Sequence, residues 1–311
     1  MSKARPKSNK CKWHQVIQIG ENGEITSESG PDIVYIDFRE ILKDIILLSQ
    51  EQLFNKITEL DSLIDNPKNC DNSFDISNPD EIDNRKNTCK FCAIGQSLAA
   101  GRTIARKSPQ QLAEVARAAY LLDGVKHMVM TTGTPSSEDR GARILSDCAK
   151  SIRAAVDLPL QAQCEPPSDD LWHVRMKESG IDSLGMHLEV VNPILRKEIM
   201  PGKSEVSLDR YFESFSVAVE VFGWGQVSTY ILAGLGDTVE EILETCEKLT
   251  SMGVYPFVVP FVPVSGTSLE SHPLPSPDFM KAVLEPLAEM ILCSGMSSDM
   301  IKAGCGKCGA C

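Results

Sequence analysis

From Asn87 onward the apolar positions switch repeatedly between a helical and a strand-like period, with regular punctuation. Ser108-Pro109 opens a helix: serine caps, proline suits the first helical position, and Gln111 stands three residues after the cap. Leu112, Val115, Ala116, Ala119 and Leu122 form its apolar face, and Gly124 ends it. Met128 to Thr131 then reads as a short buried strand. A helix from about Arg140 to Val156 precedes the strand Leu158 to Cys164, and a helix from about Ser168 to Ser179 precedes Ile181 to His187. Ser207 caps a helix carrying Phe212, Phe215, Val219 and Phe222, which Gly223 closes before the strand Gln226 to Ala233. Thr238 with Glu241 makes a capping box, and the helix behind it turns Ile242, Cys246 and Leu249 inward. Tyr255 to Val262 is the next strand, nearly all apolar, as expected where both faces are covered. Ser276-Pro277 opens a long helix that stops at Gly295.

Continuous apolar strands alternating with amphipathic helices predict βα units and a parallel sheet. Five such strands follow Cys92, and one more before it makes six. The expected architecture is a parallel α/β partial barrel of the (β/α)6 type, with its sites at the C-terminal ends of the strands.

Before Asn87 the pattern is irregular. A short apolar segment, Ile33 to Phe38, and a rough helical stripe from about Glu40 to Ile64 stand out. Between Glu59 and Asp83 eight carboxylates face Lys68 alone, which reads as a solvated loop. Three segments result: an irregular region 1–86, the barrel 87–296 and a cysteine-rich tail 297–311.

The net charge of −12 opposes a nucleic-acid partner, because phosphate binding needs a basic surface. No stretch reaches the ~18 apolar residues of a membrane span, and the basic Met1 to Lys12 is not followed by the apolar run of a signal peptide. A cytoplasmic location is expected. In a reducing compartment, paired cysteines more often mean metal or catalysis than disulfides.

That matters because Cys89-Lys90-Phe91-Cys92 and Cys305-Gly-Lys-Cys308-Gly-Ala-Cys311 are both thiolate grips. Thiolates suit zinc, copper(I) and iron–sulfur clusters. Cys148, Cys164, Cys246 and Cys293 fall within helices or strands, where free cysteine acts as a small buried hydrophobe.

A thiolate loop ahead of the first barrel helix, with polar signals at the strand ends, resembles the radical S-adenosylmethionine (SAM) superfamily from about Cys89 onward. His187-Leu188-Glu189-Val190 with Arg196 and Met200-Pro201-Gly202 is similar to the fourth-strand segment of lipoyl synthases. Phe261 to Thr267 looks like the sixth-strand motif of biotin synthases. The whole block, with Cys-Ala-Ile-Gly-Gln-Ser-Leu-Ala-Ala-Gly-Arg and the tail, resembles a biotin-synthase-related subgroup found beside nitrilase genes in bacterial gene clusters.

The resemblance implies a [4Fe–4S] cluster on three thiolates, with its fourth iron open to SAM. It also implies a small-molecule substrate and an electron donor such as ferredoxin or flavodoxin. The usual first cysteine, four residues before Cys89, is here Arg85, so Cys70 becomes the candidate third ligand beside Cys89 and Cys92. A long loop weakens closure only slowly with length.

Thr131, Thr132, Gly133 and Thr134 stand where the superfamily's glycine-rich motif meets the methionine amino group, although they depart from Gly-Gly-Glu. Glu165 and Glu189 are implied partners of ribose hydroxyls or the ammonium, and Gly234 and Gly236 would let backbone approach adenine. Arg196 could hold a carboxylate bidentately, with a surface salt bridge as the alternative. His187 could touch substrate or be a satisfied core histidine, and Lys203 is the weaker candidate beside these. For Cys305, Cys308 and Cys311 a second iron–sulfur cluster, zinc and a metal-free redox tail stay open. The rival reading of the whole chain is a zinc- or cluster-stabilised scaffold without catalysis.

Overall fold

The computed structural model describes residues 88–134 and 138–309. Ile33 to Phe38, the stripe from Glu40 to Ile64, Cys70 and Cys311 lie outside them, as does any sixth strand before Cys92.

Five strands form one parallel sheet in the order β1 (Met128–Thr131), β2 (Leu160–Gln163), β3 (Ser183–Gly185), β4 (Val227–Ala233) and β5 (Val254–Pro260). Each is a strand the apolar pattern predicts. Six predicted helices form: α2 (Pro109–Leu122) precedes β1, α3 (Ala142–Ala155), α4 (Leu171–Glu178), α6 (Leu208–Phe222) and α7 (Val239–Ser251) lie between successive strands, and α8 (Pro277–Cys293) follows β5. Both predicted capping boxes form, Ser108 with Gln111 and Thr238 with Glu241. Three short helices lie outside the predicted set, α1 (Ile94–Ala99), α5 (Pro193–Ile199) and α9 (Cys305–Cys308). The signal for α5 was present: Asn192 accepts from the Ile194 and Leu195 amides, and Pro193 takes the first position.

Pairing is longest between β4 and β5, where seven residues register from Val227↔Val254 to Ala233↔Pro260. One face of the sheet, with Leu160, Ala162, Leu184, Val227, Ile231 and Val254, packs under the helices. Each of the leucine, valine and isoleucine side chains among them contributes about 1.5–3 kcal/mol on burial. Exposed pairs such as Lys281–Glu285 contribute about 0–1 kcal/mol. The layered core holds the barrel together, not its rim charges.

The opposite, inner face is more polar than the run of apolar residues in β5 suggests. Gln161 donates to Ser228 Oγ (3.2 Å) and Gln163 to Gln161 (2.9 Å). His187, Tyr230 and Phe257 stack edge to face in a row, with centroids 5.1 and 5.0 Å apart. The segment after α8 covers this face. Ser183 donates to the Ala303 carbonyl (2.7 Å), Gln226 to that of Met300 (2.8 Å), and the Gly304 amide points at His127 Nδ1 (3.4 Å). Gly304, at φ +119°, sits so close to Gln161 that a Cβ there would overlap its amide. Glycine is required at that crossing.

Between α4 and α6, His173 is completely buried and bonded to Ser214 (2.8 Å), beside Asp170, which Arg210 clamps with both guanidinium nitrogens (3.0 and 2.6 Å). Burial pushes His173 down to about 4, against a partial pull upward from Asp170. The unfolded chain therefore takes up a proton near pH 6.5 that the folded chain refuses until about pH 4. Stability is lost as pH falls through that window. Urea denaturation at about pH 7.5 and 5 is expected to show about 2 kcal/mol less loss in His173→Asn than in the parent chain. His187, pushed down to about 3 by burial, keeps its own loss in both proteins. Equal losses in the two proteins would refute the assignment.

Candidate metal and cofactor site

Cys89 and Cys92 lie on one tight turn, closed by the Cys92 amide on the Cys89 carbonyl (3.0 Å). The turn is fastened to α5 by the Lys90 amide on the Ile199 carbonyl (2.8 Å), and Phe91 meets the Phe261 ring edge-on at 6.5 Å. Cys89 packs against the small core of Val190, Ile199, Met200, Leu235 and Phe261 at the C-terminal end of the sheet, whereas Cys92 is exposed. Burial drives the Cys89 thiol up to about 12, and Glu189, Cys92 and Glu165 push the same way while Lys203 opposes them. Five predicted or suspected site residues thus share one electrostatic neighbourhood. Two soft thiols on one turn fit iron as a ligand pair. Among the described residues no third His, Cys, Asp or Glu completes a metal-binding group.

Two ion pairs flank the turn. Lys203 Nζ lies 2.7 Å from Glu189, both side chains largely buried, and the pairing keeps Lys203 charged well above the ordinary lysine range. Arg140 Nη1 lies 2.7 Å from one oxygen of Glu165, and Thr134 donates to the other at 2.7 Å. Glu165 thus ties the loop after β1 to the end of β2. Glu189 (φ +61°) and Arg140 (φ +46°) are the non-glycine residues with positive φ among those described, and each belongs to one of these pairs. At Glu189 the Val190 amide bonds the Leu188 carbonyl (2.7 Å), a three-residue turn in the rare, strained sense. The chain still rejoins the ladder, with Glu189 bridged to Ile231. Backbone strain held in place by its surroundings is a mark of functional positions.

Other predicted residues are placed differently from their expected surroundings. Arg196 is neither open to a ligand nor in a surface salt bridge. It is buried, turned to the carbonyls of Leu188, Val190 (3.3 Å) and Lys203 (3.5 Å), with its guanidinium 4.8 Å from the Tyr211 ring. It braces the backbone on both sides of Glu189. Gly234 (φ +107°) packs against Pro275 and Gly236 (φ +114°) against Leu195, so both glycines serve close packing. Thr131 ends β1 exposed, the Thr132 amide reaches the Gln163 carbonyl (3.3 Å), and Gly133 has open space around it. Cys293 is exposed, contrary to the expectation of a buried thiol, because α8 turns it outward; Cys148, Cys164 and Cys246 are buried as expected. No sequence signal marked Arg140.

The tail does not stand apart. Its short helical turn α9 (Cys305–Cys308) lies against the inner face of the sheet, where Gly306 abuts Tyr255 and Cys305 Sγ lies 3.8 Å from Gln163 Nε2. One thiolate grip therefore sits at the strand C-terminal ends and the other within the same bore.

A parallel α/β sheet with thiols and buried carboxylates gathered at its C-terminal ends has the layout of an α/β barrel whose site lies at that face. Residues 85–249, just over half of the chain, match the Radical SAM superfamily, and the chain belongs to that family. It is 28% identical over 230 residues to the bacteriochlorophyllide c C-7(1)-hydroxylase of Chlorobaculum limnaeum, covering 67% of this chain and 56% of the relative. Over 175 residues it is 31% identical to a lipoyl synthase of Glaesserella parasuis, covering 53% and 50%. The crystal structure of HydG, a maturase of the [FeFe]-hydrogenase, shares the fold with a TM-score of 0.52 at 15% identity, covering 66% of this chain and 47% of that one. The chain spans about half the length of the curated relatives it matches.

Proposed function

We propose that this chain is a radical SAM enzyme in which Cys89, Cys92 and, from outside the described residues, Cys70 hold the [4Fe–4S] cluster. The observation that carries the reading is the convergence of Cys89 with Glu189, Lys203 and Glu165 at the ends of β2 and β3. Held by these thiolates, the cluster would supply the electron for reductive cleavage of SAM and so the means of hydrogen abstraction from the substrate. The protein's own part is positional. Lys203 and the strained turn fix the Glu189 carboxylate beside the thiols, ready for ribose hydroxyls or an ammonium group. Glu165 holds Thr134 and Arg140 so that the loop from Thr131 offers its backbone at the same edge. Arg196 keeps the backbone of the Glu189 turn from relaxing.

The substrate reaches the bore from that edge and meets Gln163, His187, Tyr230 and Phe257. Cys305 and Cys308 on α9, with Cys311 from outside the described residues, offer thiolates for a second iron–sulfur cluster. The substrate is a small molecule, and the likeness to the nitrilase-associated subgroup favours nitrile-related or other nitrogenous chemistry. The protein works in the cytoplasm with ferredoxin or flavodoxin as reductant; no described helix is long and apolar enough to cross a membrane.

The test is anaerobic reconstitution with iron and sulfide, then assay for 5′-deoxyadenosine with SAM and dithionite. Formation is expected from the parent chain and not from Cys70→Ala. Full iron loading without 5′-deoxyadenosine would defeat the enzyme reading. An active, fully loaded Cys70→Ala would remove Cys70 from the ligand set.

A further inference from the structure

The chain carries a net charge of −12, yet from Thr88 to Ala113 it contains no Asp or Glu and four cations: Lys90, Arg102, Arg106 and Lys107. This acid-free stretch encloses the cysteine turn. It continues through α1 into a turn where the Arg102 amide bonds the Ser97 carbonyl (2.9 Å), which folds the basic segment back beside the helix. Arg102, Arg106 and Lys107 are exposed, and among the described residues none of the three has a carboxylate partner; Lys107 caps its own turn through Thr103 and the Ile104 carbonyl. Exposed apolar side chains lie on the same stretch and on the loop it touches. Ile94 is exposed beside Cys92, and Gln96 of α1 donates to the Gly266 carbonyl, bringing up the exposed Val262 and Val264 from the loop after β5. Exposed cations and exposed apolar groups on the segment that follows the exposed Cys92, and on the loop it touches, are an interface composition on an otherwise acidic protein.

We propose that this face docks the acidic flavodoxin that supplies the electron, and that Arg102, Arg106 and Lys107 steer it onto the Cys92 side. The inference rests on the radical SAM reading. With flavodoxin as donor, one electron leaves the anionic flavin hydroquinone, which becomes the neutral semiquinone, and enters the iron; no atom is transferred. Electron-transfer contacts are small and short-lived, so charge steering governs their encounter rate more than buried area does. A protein with net charge −12 otherwise repels an acidic donor, and a local basic face overcomes that repulsion at one place.

The experiment compares the parent chain with Arg102→Glu/Arg106→Glu/Lys107→Glu, and with the matching glutamine triple variant as the milder change. Flavodoxin, reduced by its reductase, and dithionite serve as alternative electron sources. Affinity for labelled flavodoxin is measured separately by fluorescence anisotropy at about 50 and about 300 mM salt. Charge reversal is expected to weaken flavodoxin binding and flavodoxin-driven 5′-deoxyadenosine formation about tenfold or more, with the glutamine variant intermediate. The dithionite-driven rate is expected to stay within about twofold, because a small reductant needs no docking face.

Unchanged flavodoxin affinity in both variants would overturn the proposal. So would unchanged affinity accompanied by new protease sensitivity in the Glu59–Asp83 run, which would assign the face to the chain's own acidic segment. A parent chain that makes no 5′-deoxyadenosine even with dithionite would instead defeat the enzyme reading, and the anisotropy measurement would still decide whether the face binds the donor.

Discussion

Cys89→Ala and Cys92→Ala are each expected to bring 5′-deoxyadenosine formation to background after reconstitution and to lower bound iron by the content of one cluster. The two replacements should differ in the metal-free protein. Cys89 packs against Val190, Ile199, Met200, Leu235 and Phe261, so its truncation removes apolar contact and costs about 1 kcal/mol. Cys92 is exposed, and its loss should fall within about 0.5 kcal/mol of zero. Urea denaturation of the apo forms separates the two effects, and iron analysis with the nucleoside assay reads the first. Cys305→Ala supplies the contrast: under the proposed second site it should lose that site's iron while keeping 5′-deoxyadenosine formation. Full activity in Cys89→Ala or Cys92→Ala would remove that residue from the cluster.

Glu189 yields the second large effect, because its carboxylate and its backbone do different work. Glu189→Ala removes the partner of Lys203 and leaves a largely buried ammonium unpaired, which costs about 1–3 kcal/mol even with the partial exposure of this pair. It also keeps a Cβ at φ +61°. Glu189→Gly loses the same carboxylate but relieves the left-handed strain, a gain of about 1 kcal/mol. The glycine variant should therefore be the more stable of the two, which inverts the usual cost of glycine in place of alanine. Both should bind SAM at least about tenfold more weakly in calorimetric titration, since one charged hydrogen-bond acceptor is gone. An alanine variant more stable than the glycine variant would show that the turn carries no strain, and undiminished SAM affinity would show that the carboxylate faces elsewhere.

What could be read from the chain was local. The strand at Met128 to Thr131 and the capping boxes at Ser108 and Thr238 are written within a few residues, and they form as the pattern indicates. Asn192 and Pro193 announced α5 in the same language, but seven residues are too few for the helical period to show. The site was legible as residue types at strand ends. Its pairing was not, because Lys203 meets Glu189 through the 3₁₀ turn that follows α5 and Arg140 meets Glu165 across two strands. Arg196 shows the limit most clearly. A guanidinium suits a ligand carboxylate as well as it suits three backbone carbonyls, and only the turn of α5 selects the second. The position of Cys305 beside Gln163 depends on a segment returning across the sheet, which no periodicity encodes.

That return has a consequence for how the bore is assembled. The bonds that close it join residues 120 positions apart at Ser183 and Ala303, and 177 apart at His127 and Gly304. Contacts of such sequence separation incur their chain-ordering cost before they yield stabilisation, so they form after the local βα units. The sheet consequently passes through a stage with strands paired but the polar inner face still open to solvent. Closure over Gln161 and Gln163 is then a late step, and the half-buried Cys305 and Cys308 reach the inner face only with it.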